Sequence, residues 1–494
     1  MNIDRPKLLT VMVFGVTLSS LFFYPLFSEL HDNLFVLQWR RINTMELFCI
    51  FLLFSLLAGA VLWLVYKCKN IYYKMLILLI ITLVPFMSFL IYLLVQLWGS
   101  GLIIGITKKL FIGQIRLISL FAIFVLASGS LFVFIRYARR IVQIVFLILF
   151  ILSPINILSL WNGIKACAVD SIIFIDNDRG GIQKSSPHKQ DSNVLVILFD
   201  ELSYNYIYEQ NKIKPQYENI RDMSLASDIY HNASSPGKDT LTSVMGLITG
   251  KQCDLVQMKD KGMYIITAKQ KAKLLVPDSN NLFAYAKDAG YKTFCFGPYL
   301  PYGELFRQWL DGCRSFSIYN WGSLQKGFKP YSPILTTIVL LPHQFPYGIF
   351  KNPVYSLWQK SVTEQIFASV IKAINSQEPF FIFAHFYIPH LPFTFNKNGF
   401  YHNSKPFLEN DENYYKQLDY VDKLVGNLIA ELKIKGKFDN STIVILADHN
   451  YRIMFPGKER TIPLIIKHKG QKTCSNIYNS VKAEDVLKKE LFIQ

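Results

Sequence analysis

Apolar residues fall along this chain in two regimes. Up to Trp161 they form five long, nearly unbroken runs, near 8–28, 47–66, 75–97, 117–135 and 141–160. Each is long enough to cross a ~30 Å hydrocarbon core, which predicts five membrane spans in a domain covering 1–161. The first run is too long for a signal-peptide core, and no small-residue cleavage site follows it. The stretch 99–115, GSGLIIGITKKLFIGQI, is broken by Gly and Lys and reads as an interfacial loop or helix. Residues 162–192 are largely polar and predict a linker.

From Asn193 the apolar runs become short and β-branched. NVLVILFDEL, FFIFAHF (380–386), STIVILADHN (441–450) and TIPLIIKH (461–468) read as buried strands, three of them followed by polar groups. Helical patterns over 357–376 and 411–434 lie between them. Strands alternating with helices predict an α/β sheet covered on both faces over 193–494. Ligands of such sheets sit beyond the carboxyl ends of the strands. One further stretch, TLTSVMGLITG from Thr240 to Gly250, follows the turn SSPGKD and predicts a short helix. A hydroxyl at such a helix start meets backbone N–H donors and the positive end of the dipole. An ordinary N-cap is the alternative there, because Asp239, Thr240, Thr242 and Ser243 can all cap.

Composition agrees with this division. The chain has 494 residues, 51% of them hydrophobic, too apolar for an ordinary soluble domain. Its formal charge of +17 is scattered and fills membrane-flanking loops, which fits a phospholipid surface better than nucleic acid. With the N-terminus inside, the inner loops carry Arg5, Lys7, Lys67, Lys69, Lys74, Arg136, Arg139 and Arg140. The outer ones carry Arg40, Arg41, Lys108, Lys109 and Arg116. This bias and an odd number of spans predict that the C-terminal domain lies outside the cytoplasmic membrane. The seven cysteines form no CxxC, against a zinc ribbon or thioredoxin-like site. Cys253, Cys295, Cys313 and Cys474 permit two disulfides, Cys295–Cys313 first among them, or four free thiols.

The chemistry-bearing residues gather at the predicted strand ends. Asp200 and Glu201 close one strand, Asp448 and His449 another, and His385 and His390 flank the end of a third. Each alone has an ordinary structural explanation, as a solvated loop, a turn or a hydrogen-bonded core histidine. Three such groups at one sheet, with a hydroxyl at a helix start, make a candidate metal site with a nucleophile. Carboxylate and imidazole donors without thiolate suit Zn²⁺ or Mn²⁺.

These residues resemble the alkaline phosphatase and sulfatase superfamily. Sulfatases carry a strand ending in Asp-Asp, where this chain has ILFDEL, and a nucleophile segment C-x-P-S-R-x-x-L-L-T-G. TLTSVMGLITG keeps Ser243, Thr249 and Gly250 of that segment, with Thr240 for the Cys, Thr242 for the Pro and Val244 for the Arg. ILADHN and IPLII (462–466) match the family's late strands. Five spans before one such domain resemble phosphoethanolamine transferases and lipoteichoic acid synthases, whose nucleophile is a Thr. HFYIPHLPF, from His385 to Phe393, resembles a paired-histidine segment of the former, and Gly237-Lys238 a Gly-Lys of the latter. The disulfide-rich pattern of many phosphoethanolamine transferases is absent.

The resemblance implies a mixed sheet with helices on both faces behind a transmembrane domain. It implies a metal held by Asp200, Thr240, Asp448 and His449, with Glu201 as a further ligand or a supporting group. Thr240 would be the nucleophile. His385 and His390 would bind phosphate oxygens, hold a second metal or protonate the leaving group. Lys238 and Lys458 would bind substrate. The expected partners are a membrane phospholipid donor and a surface glycan or lipid acceptor. The expected place is a bacterial inner membrane, with the catalytic domain on its outer, periplasmic face. Three other readings share these residues: a phosphodiesterase, a sulfuric ester hydrolase, and a catalytically inactive membrane sensor or scaffold.

Overall fold

In the computed structural model the chain divides into two compact units, one of Met1–Leu34, Trp39–Ser171 and Gly322–Asn352, the other of Phe35–Gln38, Ile172–Trp321 and Pro353–Gln494. The described residues are 11–20, 23, 41–67, 191–259, 262–266, 273–276, 279–316, 353–401, 403, 410–451 and 460–492.

In the first unit, helix α1 (Arg41–Lys67) contains Phe48–Val65, whose mean hydropathy is 2.7. Among the described residues it is the one helix long and apolar enough to cross a membrane. A shorter apolar helix, Val11–Ser20, packs against it. The approach is backbone to backbone: a Cβ on Gly15 would stand 2.2 Å from the Ser55 carbonyl oxygen. Small residues allow two helices to pack this closely. Thr17 and Ser55 return their hydroxyls to the carbonyls of Val13 and Phe51, four residues back. The predicted spans near 75–97, 117–135 and 141–160 lie outside the described residues.

The second unit is built on a mixed sheet. Its strands are β1 (Asn193–Asp200), β2 (Asp228–Ser234), β3 (Lys292–Pro298), β4 (Gly312–Phe316), β5 (Phe380–Pro389), β6 (Ser441–Ala447), β7 (Thr461–Lys467), β8 (Ser475–Ile477) and β9 (Val481–Lys482). The order is β8-β2-β7-β6-β1-β5-β3-β4, with β9 also on β2. Every residue of β1 is buried, because β5 and β6 flank it in parallel and both faces are covered. Burial of its apolar run stabilises by roughly 1.5–3 kcal/mol per large side chain. The strand β7, predicted to belong to this set, runs antiparallel to β6. The strand β2, inside the sheet between β7 and β8, and the strands β3, β4, β8 and β9 have no counterpart among the predicted strands.

Two helices cover the centre, α5 (Pro353–Ile374) and α6 (Asp411–Ile434), the latter carrying the chain from β5 across β1 to β6. That crossover makes the carboxyl end of β1 a switch point, with β5 on one side and β6 on the other. In this unit α2 is Glu218–Ser224, α3 is Thr240–Thr249, α4 is Leu282–Asp288 and α7 is Ala483–Phe492. Cys253, Cys295, Cys313 and Cys474 are free thiols, although Cys295 and Cys313 are register partners on β3 and β4. Of the two readings left by the sequence, the free-thiol one holds.

Candidate active site

The carboxyl ends of β1, β5 and β6 bring four polar side chains together. Asp200 is the last residue of β1, and Asp448 and His449 follow β6 directly. His385 lies inside β5, in register with Leu198, because that strand continues to Pro389, beyond its predicted end. None of the four is more than 1% exposed. Ligand atoms of Asp200, His385 and Asp448 lie within 4.8 Å of one another. His449 Nε2 stands 3.8 Å from Asp200 Oδ1 and 3.4 Å from Asp448 Oδ2.

The backbone fixes these groups. Asp448 N–H donates to the Phe199 carbonyl at 3.2 Å, and its Oδ1 accepts from the N–H groups of Glu201 (3.0 Å) and His449 (2.7 Å). Glu201 reaches this position through a left-handed turn, φ 66°, which costs a non-glycine residue about 1–3 kcal/mol. Its carbonyl accepts from the buried Tyr414 hydroxyl at 2.6 Å. Burial and the nearby Glu201 raise the Tyr414 pKa well above its ordinary value, so it stays a phenol and a donor.

The donor set fits a divalent cation. His385 Nε2 and Asp448 Oδ2 are buried without a hydrogen-bond partner. Leaving such atoms unpaired costs about 1–3 kcal/mol each, more when charged. Two buried carboxylates in one cluster also call for a compensating positive charge. Burial lowers the His385 pKa to about 4, so the ring is neutral and has a lone pair to offer. Its Nδ1 lies 2.8 Å from the Tyr302 hydroxyl, a partner on the far side of the ring that no sequence motif marks. His449 Nδ1 lies 3.0 Å from the Asn450 carbonyl, which can only accept, so Nδ1 is the donor there and Nε2 is the nitrogen that faces the cluster.

Thr240 opens α3 over this cluster. Its Oγ1 lies 3.3 Å from His449 Nε2 and 3.4 and 3.5 Å from the two Asp200 oxygens. The cap itself is Asp239, whose carboxylate accepts from Thr242 N–H at 2.9 Å and forms a capping box with it. The Thr240 hydroxyl is thereby left to the site. The preceding turn is tight, since a Cβ on Gly237 would stand 2.3 Å from Thr242 Oγ1. Gly250 ends the helix with φ 66°, where a left-handed residue is needed. Ser235 Oγ donates to the Asp448 carbonyl at 2.5 Å and lies 2.9 Å from Ser243 Oγ, joining α3 to the end of β6.

The other predicted site residues stand at the rim. His390, with 21% of its side chain exposed, faces Glu201, Nε2 to Oε1 3.9 Å. Lys238 is exposed in the turn before α3. Lys458 lies outside the described residues.

An α/β sheet with carboxylates and histidines at its switch point, under a hydroxyl at a helix start, forms a candidate metal site beside a candidate nucleophile. Residues 192–484 match the family model described as Sulfatase, and the chain belongs to this family. It is 20% identical over 321 residues to the uncharacterized sulfatase YdeN of Escherichia coli (strain K12), covering 58% of this chain and 56% of that protein. The chain thus spans just over half of that relative's length. Its fold is similar to that of PsFucS1 sulfatase from Pseudoalteromonas sp., with TM-score 0.41, 17% identity, and 62% and 68% of the two chains covered. It is also similar to the phosphonate monoester hydrolase of Agrobacterium radiobacter, with TM-score 0.39, 15% identity, and 61% and 73% covered.

Proposed function

We propose that this chain is a membrane-bound transferase. It moves a phospho-substituent, of the phosphoethanolamine or phosphoglycerol type, from a membrane phospholipid to a surface glycan or lipid. One observation carries the reading: the hydroxyl at the nucleophile position belongs to a threonine, and it lies within 3.5 Å of His449 and Asp200. A sulfatase-type formylglycine is formed from Cys or Ser, and a Thr cannot yield it because its β-carbon carries a methyl group. A threonine can still act as an activated alcohol.

Asp200, His385, Asp448 and His449 would hold the metal, Zn²⁺ or Mn²⁺ by donor type. When bound, it lowers the pKa of a hydroxyl and polarises a phosphoryl oxygen. Thr240 gives its hydroxyl proton to solvent water and its Oγ1 attacks phosphorus. The bond from phosphorus to the diacylglycerol oxygen breaks, and His390 acts from Nε2 as the acid that supplies the proton that oxygen needs. An acceptor hydroxyl then gives its proton to His390 Nε2 and attacks phosphorus, the bond from phosphorus to Oγ1 breaks, and Oγ1 takes a proton back from water. Lys238 attracts the anionic head group. The apolar helix α1 supports a membrane site, with the second unit outside the cytoplasmic membrane.

The family match also supports a second reading, in which water is the acceptor and the protein hydrolyses phosphodiesters or sulfate esters. The test is a trap. Supplied with donor lipid and no acceptor, the protein should accumulate phosphate on Thr240, read by mass spectrometry. Thr240→Ala should abolish turnover and Thr240→Ser keep part of it. Wild-type activity in Thr240→Ala, or faster cleavage of sulfate esters than of phosphodiesters, would refute the transferase reading. A reporter fused after Gln494 that is active only in the cytoplasm would refute the topology.

A further inference from the structure

The segment that carries His390 leaves the sheet directly after Pro389, the last residue of β5 and the register partner of Asp200. Pro392 lacks an N–H donor, and among the described residues no strand pairs with the chain beyond β5 to serve its carbonyls. Two glutamine side chains take the place of that strand. Gln417 of α6 points its Nε2 at the carbonyls of Pro389, His390 and Pro392, at 3.1, 2.8 and 3.3 Å. Its Oε1 accepts from the N–H groups of Thr394 and Phe395, at 2.8 and 3.1 Å. Gln359 of α5 donates to the same His390 carbonyl at 2.8 Å, and its Oε1 accepts from the Thr394 hydroxyl at 2.6 Å. Both glutamines are fully buried.

We propose that Gln359 and Gln417 are positioning residues that hold His390 at the mouth of the site. The inference rests on the acid function given to His390 above. Three ties fix the His390 backbone. Its N–H donates to the Asp200 carbonyl at 3.1 Å, and its own carbonyl takes one bond from each glutamine. The ring Nδ1 lies 2.7 Å from the Leu391 carbonyl, which leaves Nε2 to face Glu201. A buried amide meets donors and acceptors at once, which no apolar side chain of that volume can do. The clamp therefore sets the distance between an acid on a loop and a nucleophile on a helix, where a displacement near 1 Å costs about 10²-fold in rate.

The experiment is a double-mutant cycle on the full-length, metal-loaded chain. It measures diacylglycerol release from vesicles of phosphatidylethanolamine and phosphatidylglycerol. Gln417→Leu should lower kcat about 10- to 100-fold with KM within about twofold. In a His390→Ala background the same change should cost less than about twofold, because the group it positions is gone. Gln417→Glu keeps the accepting oxygen and should fall between wild type and Gln417→Leu. Gln359→Leu provides the same cycle if Gln417→Leu does not fold. Full turnover in Gln417→Leu, or an equal loss in both backgrounds, overturns the clamp. His390→Ala alone tests the acid function, so the two failures are distinct.

Discussion

Asp448 and Lys238 mark the two extremes of one site. The floor, made of Asp200, His385, Asp448 and His449, is dry, and its side chains are oriented by the backbone of three neighbouring parallel strands. The rim, made of Lys238 and His390, is wet or half-wet and is held by turns and by other side chains. Electrostatic effects are strong in the first and screened in the second. The floor should therefore decide whether there is chemistry at all, and the rim how fast and on what. Rigid strands suit the first task, because a ligand cluster tolerates little displacement, while loops suit the second.

The largest effect should come from the floor. In Asp448→Asn, one side-chain oxygen can still accept from Glu201 and His449, so the strand end keeps its shape. An NH₂ group then replaces the unpartnered oxygen in the cluster. Metal content by mass spectrometry should fall below stoichiometry, and turnover by about 10³-fold or more, for a loss of several kcal/mol of charge stabilisation. A variant that kept both its metal and its rate would dissolve the distinction between floor and rim.

His390→Gln tests the rim at its most active point. With a lipid donor the loss should be about 10- to 100-fold, the usual span for a positioned acid. With bis(4-nitrophenyl) phosphate, whose leaving group departs without a proton, the loss should shrink to a few-fold. An equal loss on both substrates would mean that His390 binds phosphate or shapes the pocket and transfers no proton.

The same contrast explains what could be read from the chain itself. β1, β5 and β6 were legible because a strand covered on both faces must be a continuous apolar run. Asp200, Asp448 and His449 were legible as the polar residues that end such runs. His385 was placed near a strand end but lies within the strand, since Tyr387 and Ile388 extend β5 as well as any loop. Tyr302, Gln359 and Gln417 carry no local signature. They matter through contacts 83, 31 and 27 residues away in the chain, with His385 or with His390, and only the tertiary structure brings those together. The cap at Asp239 and the hydroxyl at Thr240 were read as competing uses of one turn, yet both are present, one residue apart.

Thr242→Val examines that turn, between floor and rim. The change keeps the shape but removes the hydroxyl that donates to Asp239 and accepts from the Lys238 N–H at 3.2 Å. Loss of half the capping box should cost about 1 kcal/mol of stability, read as a lower thermal midpoint. Activity should fall only a few-fold, because Thr240 stays on the first turn of α3. A loss as large as that of Thr240→Ala would make the cap part of the chemistry.

Lys238→Ala should have the smallest effect, and salt is what reveals it. The side chain is exposed, whereas its backbone N–H is held by Thr242 Oγ1, so the substitution leaves the turn in place. An exposed ammonium near an anionic substrate acts mainly on encounter and loose binding. At low ionic strength the variant should show KM raised by about two- to fivefold with kcat unchanged, in line with the small worth of exposed charge pairs. At 1 M salt the Debye length falls to about 3 Å, and wild type and variant should converge. A kcat loss that salt leaves intact would instead place the ammonium against the reacting phosphate, and Lys238 would then belong with the floor in function although it stands at the rim.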